Sequence, residues 1–281
     1  MSKVVLPNGL KVHYQQVGEG PDVVLVHGIT GNLAVWHLHL VPALADRYRL
    51  LTYDLRGHGL TSTPESGYSP DDMAEDLRLL LDALEIERPV AVGHSYGADV
   101  ALYLAAREPE RLAEVIAIEA ALPAMEGVRD HAQWVGWTYW VEALERAGLE
   151  VPPDKRSDLR HLIRATIDMP KKWGPLRGLP RNPKPLLRLL DDTSLPEDYR
   201  RVGTLTLDRV ETIETPVVLM YAERSAFVDT YEFLLAHLPD AEGVLLPQTE
   251  WGHFGPLEQP EVVAAHLAGR LARTTATEVD A

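Results

Sequence analysis

The sequence predicts an α/β protein with a mostly parallel central β-sheet and helices on both of its faces. Short, nearly unbroken apolar runs rich in β-branched residues recur along the chain, which is typical of strands buried on both faces of a parallel sheet. Amphipathic helical patterns separate most of these runs, and this alternation favours right-handed crossovers. Hydrophobic residues make up 46% and charged residues 25% of the chain, which are ordinary values for a globular protein.

The strands are predicted from the apolar runs in chain order. The first two flank a Pro-Asn-Gly turn signal at 7–9. The eight runs are 4–6, 10–14, 23–26, 50–53, 90–92, 115–118, 217–220 and 244–246. One helix is predicted to begin at Ser69-Pro70, because serine caps helix ends and proline suits the first turn. Two others are predicted over 97–106 and 261–271.

The strand–helix alternation stops between about 122 and 205. This stretch is rich in tryptophan and proline and has no strand-like run. We therefore expect a mainly helical insertion, or cap, that follows the sixth strand and lies over one end of the sheet. The chain is expected to divide into a core formed by 1–121 and 206–281 and a cap or lid formed by 122–205.

Charge and composition narrow the possible functions. The 27 basic and 42 acidic residues give a net charge of −15, which disfavours nucleic acid as a partner. There is no cysteine, and no motif typical of a metal or dinucleotide site, so we expect no metal and no cofactor. No apolar stretch of about 18 residues and no signal-peptide pattern occur, so we expect a cytoplasmic protein without a membrane partner. The oligomeric state is left open.

A serine and a histidine are predicted to form the reactive pair. Residues 93–97 read Gly-His-Ser-Tyr-Gly between a predicted strand and a predicted helix. In that context G-x-S-x-G indicates a serine, Ser95, held at a sharp bend with its hydroxyl above the sheet. A serine hydroxyl is a poor nucleophile without a base. His253 follows the last predicted strand, in a loop that can return to the same edge of the sheet, and is the predicted general base.

With these motifs the sequence resembles the α/β-hydrolase family over nearly its whole length. His27-Gly28 after a strand is similar to the family's oxyanion loop, and residues 54–59, Asp-Leu-Arg-Gly-His-Gly, are similar to its D-x-R-G-x-G turn. The resemblance implies the α/β-hydrolase fold with a helical cap. It also implies an oxyanion hole formed by the backbone N–H groups of Ile29 and Tyr96.

The sequence departs from the family pattern at the position of the acidic residue of a catalytic triad. The family usually places it after the strand at 217–220, where this sequence has Ser225, which carries no charge. Glu119, directly after the strand at 115–118, is the preferred candidate, because some family members carry the acid there. Asp229 and Glu223 are the alternatives, and a site without a carboxylate is left open.

These residues predict a serine hydrolase that acts on a small-molecule acyl substrate, namely a carboxylic ester, lactone or thioester. Since Ser95 and not an aspartate stands in the motif, the resemblance argues against haloalkane dehalogenases and epoxide hydrolases. It leaves open acyltransferases, cyclases, carbon–carbon bond hydrolases and cofactor-free perhydrolases. A ligand receptor on a hydrolase scaffold is the alternative from another class, and Ser225 motivates it.

Three tryptophans in the predicted cap suggest a substrate pocket. Trp134, Trp137 and Trp140 recur at three-residue intervals, as on one face of a helix. They are expected either to pack inside the cap or to line an apolar acyl pocket, because aromatic side chains dominate such pockets.

Overall fold

The computed structural model describes residues 2–128, 135–168, 184–249 and 252–279, and it contains one eight-stranded sheet in the order β1-β2-β4-β3-β5-β6-β7-β8. The strands are β1 (Ser2–Val5), β2 (Lys11–Val17), β3 (Asp22–Val26), β4 (Arg49–Tyr53), β5 (Val90–His94), β6 (Glu114–Ile118), β7 (Val217–Ala222) and β8 (Ala241–Leu246). The pairs β1–β2 and β2–β4 are antiparallel, and every other neighbouring pair is parallel. The predicted mostly parallel α/β sheet is confirmed.

Helices pack on both faces of the sheet, and further helices lie between β6 and β7 in the chain. The helices are α1 (Ala34–His37), α2 (Leu40–Leu44), α3 (Pro70–Ala83), α4 (Tyr96–Arg107), α5 (Val135–Arg146), α6 (Leu159–Asp168), α7 (Lys184–Asp191), α8 (Leu195–Asp198), α9 (Val228–His237), α10 (Gly255–Glu258) and α11 (Pro260–Val279). Helix α3 begins where Ser69 and Asp72 form a reciprocal capping box, as the sequence signal indicates.

Alternate side chains of the central strands enter two separate apolar clusters. In β3, Val24 and Val26 belong to the cluster that includes α3 and α4, whereas Val23 and Leu25 belong to the one that includes α1, α2 and α11. Burial on both faces explains why this strand is an unbroken apolar run in the sequence.

The described residues between β6 and β7 include the four helices α5 to α8. This matches the expected helical insertion after the sixth strand. The division of the chain at 121/122 and 205/206 stays a prediction. Within the described ranges, the helices are too short or too polar to meet the requirements for crossing a membrane.

The turn from β5 into α4 requires glycine at two positions. A Cβ atom on Gly97 would lie 2.2 Å from the Val26 carbonyl oxygen, and one on Gly93 would lie 2.3 Å from the Gly97 carbonyl oxygen. Both contacts are with backbone, which cannot rotate away. The absence of side chains therefore lets the start of α4 approach β3 and the end of β5.

We predict that Gly97→Ala lowers the free energy of unfolding by about 1–3 kcal/mol, because the added methyl group must displace backbone. Gly269→Ala in α11 is the matched control, since a Cβ atom there meets nothing within 4 Å. Alanine is favoured over glycine inside a helix by about 0.5–1 kcal/mol, so the control should be neutral or stabilising. Urea unfolding followed by circular dichroism measures both, and equal changes would contradict the steric account.

Candidate active site

Ser95 stands at the corner between β5 and α4. Its backbone adopts φ 55° and ψ −125°, a conformation that a non-glycine residue rarely adopts and that costs free energy. Hydrogen bonds hold the corner: the Ser95 N–H donates to the Ile118 carbonyl over 2.8 Å, and the Ser95 carbonyl accepts from Ala98 N–H over 2.8 Å. The strained residue is thus fixed between the ends of β5 and β6 and the first turn of α4.

His253 reaches Ser95 from the loop between β8 and α10. Its Nε2 atom lies 3.1 Å from Ser95 Oγ. The His253 carbonyl accepts a hydrogen bond from His94 Nε2 over 2.7 Å, so the residue before Ser95 holds the loop that carries His253. The imidazole packs among the rings of Tyr139, Phe227 and Phe254, whose centroids lie 5.4, 5.0 and 4.8 Å away.

Glu119 lies on the opposite side of the imidazole. It directly follows β6 with φ 57°, and its Oε2 atom is 3.4 Å from His253 Nδ1. The Ala222 N–H donates to Glu119 Oε1 over 2.6 Å, and the Ser225 hydroxyl donates to Oε2. Ser95, His253 and Glu119 therefore form a continuous row of hydroxyl, imidazole and carboxyl groups.

Burial controls the electrostatics of this row. Desolvation lowers the pKa of His253, which favours a neutral imidazole that can accept a proton from Ser95. Desolvation also raises the pKa of Glu119, while the hydrogen bonds from Ser225 and the Ala222 N–H oppose that rise because they stabilise the carboxylate. The two donors thus favour the form of Glu119 that can stabilise a charged imidazole.

The other two candidate carboxylates occupy different places. Glu223 is exposed after β7, and Asp229 lies in the first turn of α9. Among the described contacts, the carboxylate at His253 Nδ1 is that of Glu119. Ser225, which the resemblance in sequence matches to the usual acid position, contacts Glu119 through its hydroxyl, a link that the sequence does not reveal because 106 residues separate the two.

The loop after β3 orients the Ile29 N–H group. The Gly28 carbonyl accepts hydrogen bonds from His27 Nδ1 over 2.8 Å and from the Gly31 N–H over 2.9 Å. In a planar trans peptide the carbonyl and the next N–H point in opposite directions, so these bonds also fix the direction of the Ile29 N–H. Since His27 Nε2 accepts from the Leu55 N–H over 3.0 Å, the ring is the neutral Nδ1–H tautomer.

The D-x-R-G-x-G turn supports the same loop. His58 Nε2 lies 2.6 Å from the Ile29 carbonyl oxygen. Arg56 forms a bidentate pair with Asp76 on α3 at 2.8 and 2.6 Å. These contacts hold the turn and the Ile29 loop in place and leave Arg56 and His58 in supporting positions.

A cavity adjoins Ser95, and its wall is mostly aromatic and aliphatic. The described lining residues are Gly28, Ile29, Thr30, Gly31, Val35, Trp36, His94, Ser95, Tyr96, Asp99, Ala121, Tyr139, Trp140, Thr166, Tyr199, Phe227, His253, Phe254, Pro256 and Leu257. No lysine or arginine is among them. Asp99 is buried, and desolvation raises its pKa to about 7. The wall therefore suits an uncharged ligand.

The three tryptophans considered as possible pocket residues differ in where they lie. Trp140 lines the cavity, and its Nε1–H donates to Thr166 Oγ1 over 2.9 Å. Trp137 is not among the described lining residues, because its side chain is buried against Tyr199, with ring centroids 6.1 Å apart. Residues three apart on a helix point about 60° apart, which is enough to separate the two rings. Trp134 lies outside the described residues.

Comparisons with known proteins agree with the observed fold. A family model described as the alpha/beta hydrolase fold matches residues 21–255. Est816, described as an N-acyl homoserine lactone degrading enzyme, is 26% identical with a TM-score of 0.70 and covers 94% of this chain and 98% of its own. A thermophilic esterase from Thermogutta terrifontis is 22% identical with a TM-score of 0.69 and covers 97% of this chain and 98% of its own, a likeness of fold.

Curated relatives match over shorter regions. A 2-(acetamidomethylene)succinate hydrolase from Mesorhizobium japonicum is 37% identical over 110 residues, which are 39% of this chain and 39% of that protein. A non-heme chloroperoxidase from Streptomyces lividans is 34% identical over 128 residues, which are 44% of this chain and 46% of that protein. The chain thus spans less than half the length of these relatives.

Proposed function

Since the chain belongs to the α/β-hydrolase fold family, we propose that it is a serine hydrolase that cleaves a carboxylic ester, lactone or thioester. The observation that carries the proposal is the 3.1 Å contact between Ser95 Oγ and His253 Nε2, with Glu119 at the other ring nitrogen. This order of hydroxyl, imidazole and carboxylate activates a serine that is otherwise a weak nucleophile.

The reaction begins when Ser95 Oγ attacks the carbonyl carbon of the substrate. His253 Nε2 takes the hydroxyl proton, and the carboxylate of Glu119 stabilises the resulting imidazolium. The tetrahedral intermediate expels the alcohol or thiol, which receives that proton from His253, and an acyl group remains on Ser95. A water molecule then gives a proton to His253 and attacks the acyl carbon. The second tetrahedral intermediate expels Ser95 Oγ, which takes that proton back from His253, so that a carboxylic acid is released and Ser95 and His253 are restored.

The negative oxygen of the tetrahedral intermediate would be bound by the N–H groups of Ile29 and Tyr96. Tyr96 is the first residue of α4, where N–H groups have no partner inside the helix and the helix dipole favours negative charge. The bonds to the Gly28 carbonyl hold the Ile29 N–H in a fixed direction. One such preorganised donor typically stabilises the transition state by about 3–4 kcal/mol.

The cavity wall supports an uncharged acyl substrate with an apolar body. Its aromatic and aliphatic side chains bury apolar surface, and the described wall offers no cation to a carboxylate. Lactones belong in the proposed class because Est816 is described as a lactone-degrading enzyme and is similar over nearly the full length.

Glu119 also bears on the alternative of a ligand receptor without turnover. Ser225, which carries no charge, motivates that alternative. With Glu119 at 3.4 Å from His253, a carboxylate is available for catalysis, and this supports an enzyme over a receptor. Acyl transfer to an acceptor other than water would use the same acyl-enzyme.

We predict that a fluorophosphonate probe modifies one residue, Ser95, stoichiometrically. Ser95→Ala should remove both the labelling and the hydrolysis of p-nitrophenyl esters, with kcat reduced on the order of 10⁴–10⁶-fold. Intact-mass spectrometry and peptide mapping locate the adduct, and circular dichroism checks folding of the variant. Undiminished turnover by purified, folded Ser95→Ala would refute the covalent route.

A second prediction concerns the acid. Glu119→Gln should lower kcat by at least about 100-fold, because an amide cannot stabilise the charged imidazole as a carboxylate does. Asp229→Asn is the matched control and should change kcat less than about threefold. Steady-state kinetics with p-nitrophenyl esters measure both variants, and the reverse pattern would assign the role to Asp229.

A further inference from the structure

The carboxylate of Glu119 has a second side-chain contact besides the one with His253. Its Oε2 atom both faces His253 Nδ1 at 3.4 Å and accepts a hydrogen bond from the Ser225 hydroxyl. Ser225 is itself fixed, because its oxygen accepts from the Phe227 N–H over 3.0 Å and its side chain is buried. The donated proton of Ser225 is therefore directed at the same oxygen that meets the imidazole.

The strained backbone that carries Glu119 explains why its carboxylate needs this contact. Glu119 has φ 57° directly after β6, and Leu122 three residues later has φ 51°, so the loop that carries the acid is strained. A glutamate also has one more rotatable bond than an aspartate. The Ala222 N–H on Oε1 and the Ser225 hydroxyl on Oε2 together fix both carboxylate oxygens and thus the plane of the group.

We propose that Ser225 is a positioning residue for the reaction. The inference rests on the proposed serine hydrolase function. The Ser225 hydroxyl holds Oε2 of Glu119 toward the imidazole, and the hydrogen bond that it donates favours the charged form of the carboxylate.

The other titratable groups around Glu119 do not stabilise the charged form of its carboxylate. Tyr221 on β7 and Tyr139 on α5 face it, and burial raises the pKa of both phenols well above the ordinary range, so they stay uncharged. Asp99 on α4 is the other buried carboxyl near Tyr221. Among the described groups, the donors at Ser225 and the Ala222 N–H are therefore those that favour the charged carboxylate.

The first test is Ser225→Ala, measured by the pH dependence of ester hydrolysis. Without the hydroxyl, the pKa of Glu119 should rise, because a donor to the charged form is lost. The acidic side of the kcat/KM profile should then move to higher pH, and kcat near neutrality should fall about 10- to 100-fold with KM within about twofold. Ser225→Thr, which keeps a hydroxyl, should restore most of kcat.

Thr230→Val is the matched control. The Thr230 hydroxyl is buried and donates to the Ala121 carbonyl over 3.1 Å, so it supports the same loop without contacting the carboxylate. This variant should lower thermal stability but leave the pH profile in place. If Thr230→Val shifts the profile as far as Ser225→Ala does, Ser225 has only a structural role and the proposal is overturned.

NMR titration of the His253 ring separates the positioning role of Ser225 from the proposed function. If wild-type protein hydrolyses no ester, the proposed function fails, but NMR titration of the His253 ring still tests the contact: Ser225→Ala should move its titration, and an unchanged midpoint overturns the positioning role.

Discussion

The structure of the site depends on the sharp corner that holds Ser95. A non-glycine residue with φ 55° is strained, and the corner persists because Gly93 and Gly97 have no side chains to keep β5, α4 and β3 apart. The same corner places Ser95 at the carboxyl end of β5 and at the start of α4. One backbone conformation therefore sets the position of the Ser95 hydroxyl and of the Tyr96 N–H group that would donate to the oxyanion.

The parallel sheet brings the remaining groups to that corner. The carboxyl ends of neighbouring parallel strands lie at one edge, so Glu119 after β6 and the loop after β8 are close to Ser95 although they are far away in the chain. His94 adds a direct link, because its ring donates to the carbonyl of His253. Burial then acts on both groups: it favours a neutral imidazole and raises the pKa of Glu119, and the hydrogen bonds from Ser225 and the Ala222 N–H oppose that rise.

The features that could be predicted from the sequence are those with a local pattern. The strands of the parallel sheet are unbroken apolar runs, and the turn at Ser95 has glycines at fixed offsets. The proximity of Glu119 to His253 followed from strand ends that meet at one edge. The contact from Ser225 to Glu119 joins residues 106 positions apart and has no local signal. Trp137 and Trp140 share a helix, but only tertiary packing decides that Trp140 meets the cavity while Trp137 packs against Tyr199.

Activation of Ser95 by His253 is tested most directly by the rate constant for fluorophosphonate modification of Ser95, measured as a function of pH. Since burial lowers the pKa of His253 below its ordinary value of about 6.5, protonation of the imidazole should lower the rate constant only below that pH. The rate constant should fall by orders of magnitude at all pH values in His253→Ala. A rate constant that does not change with pH and is the same in His253→Ala would contradict the account.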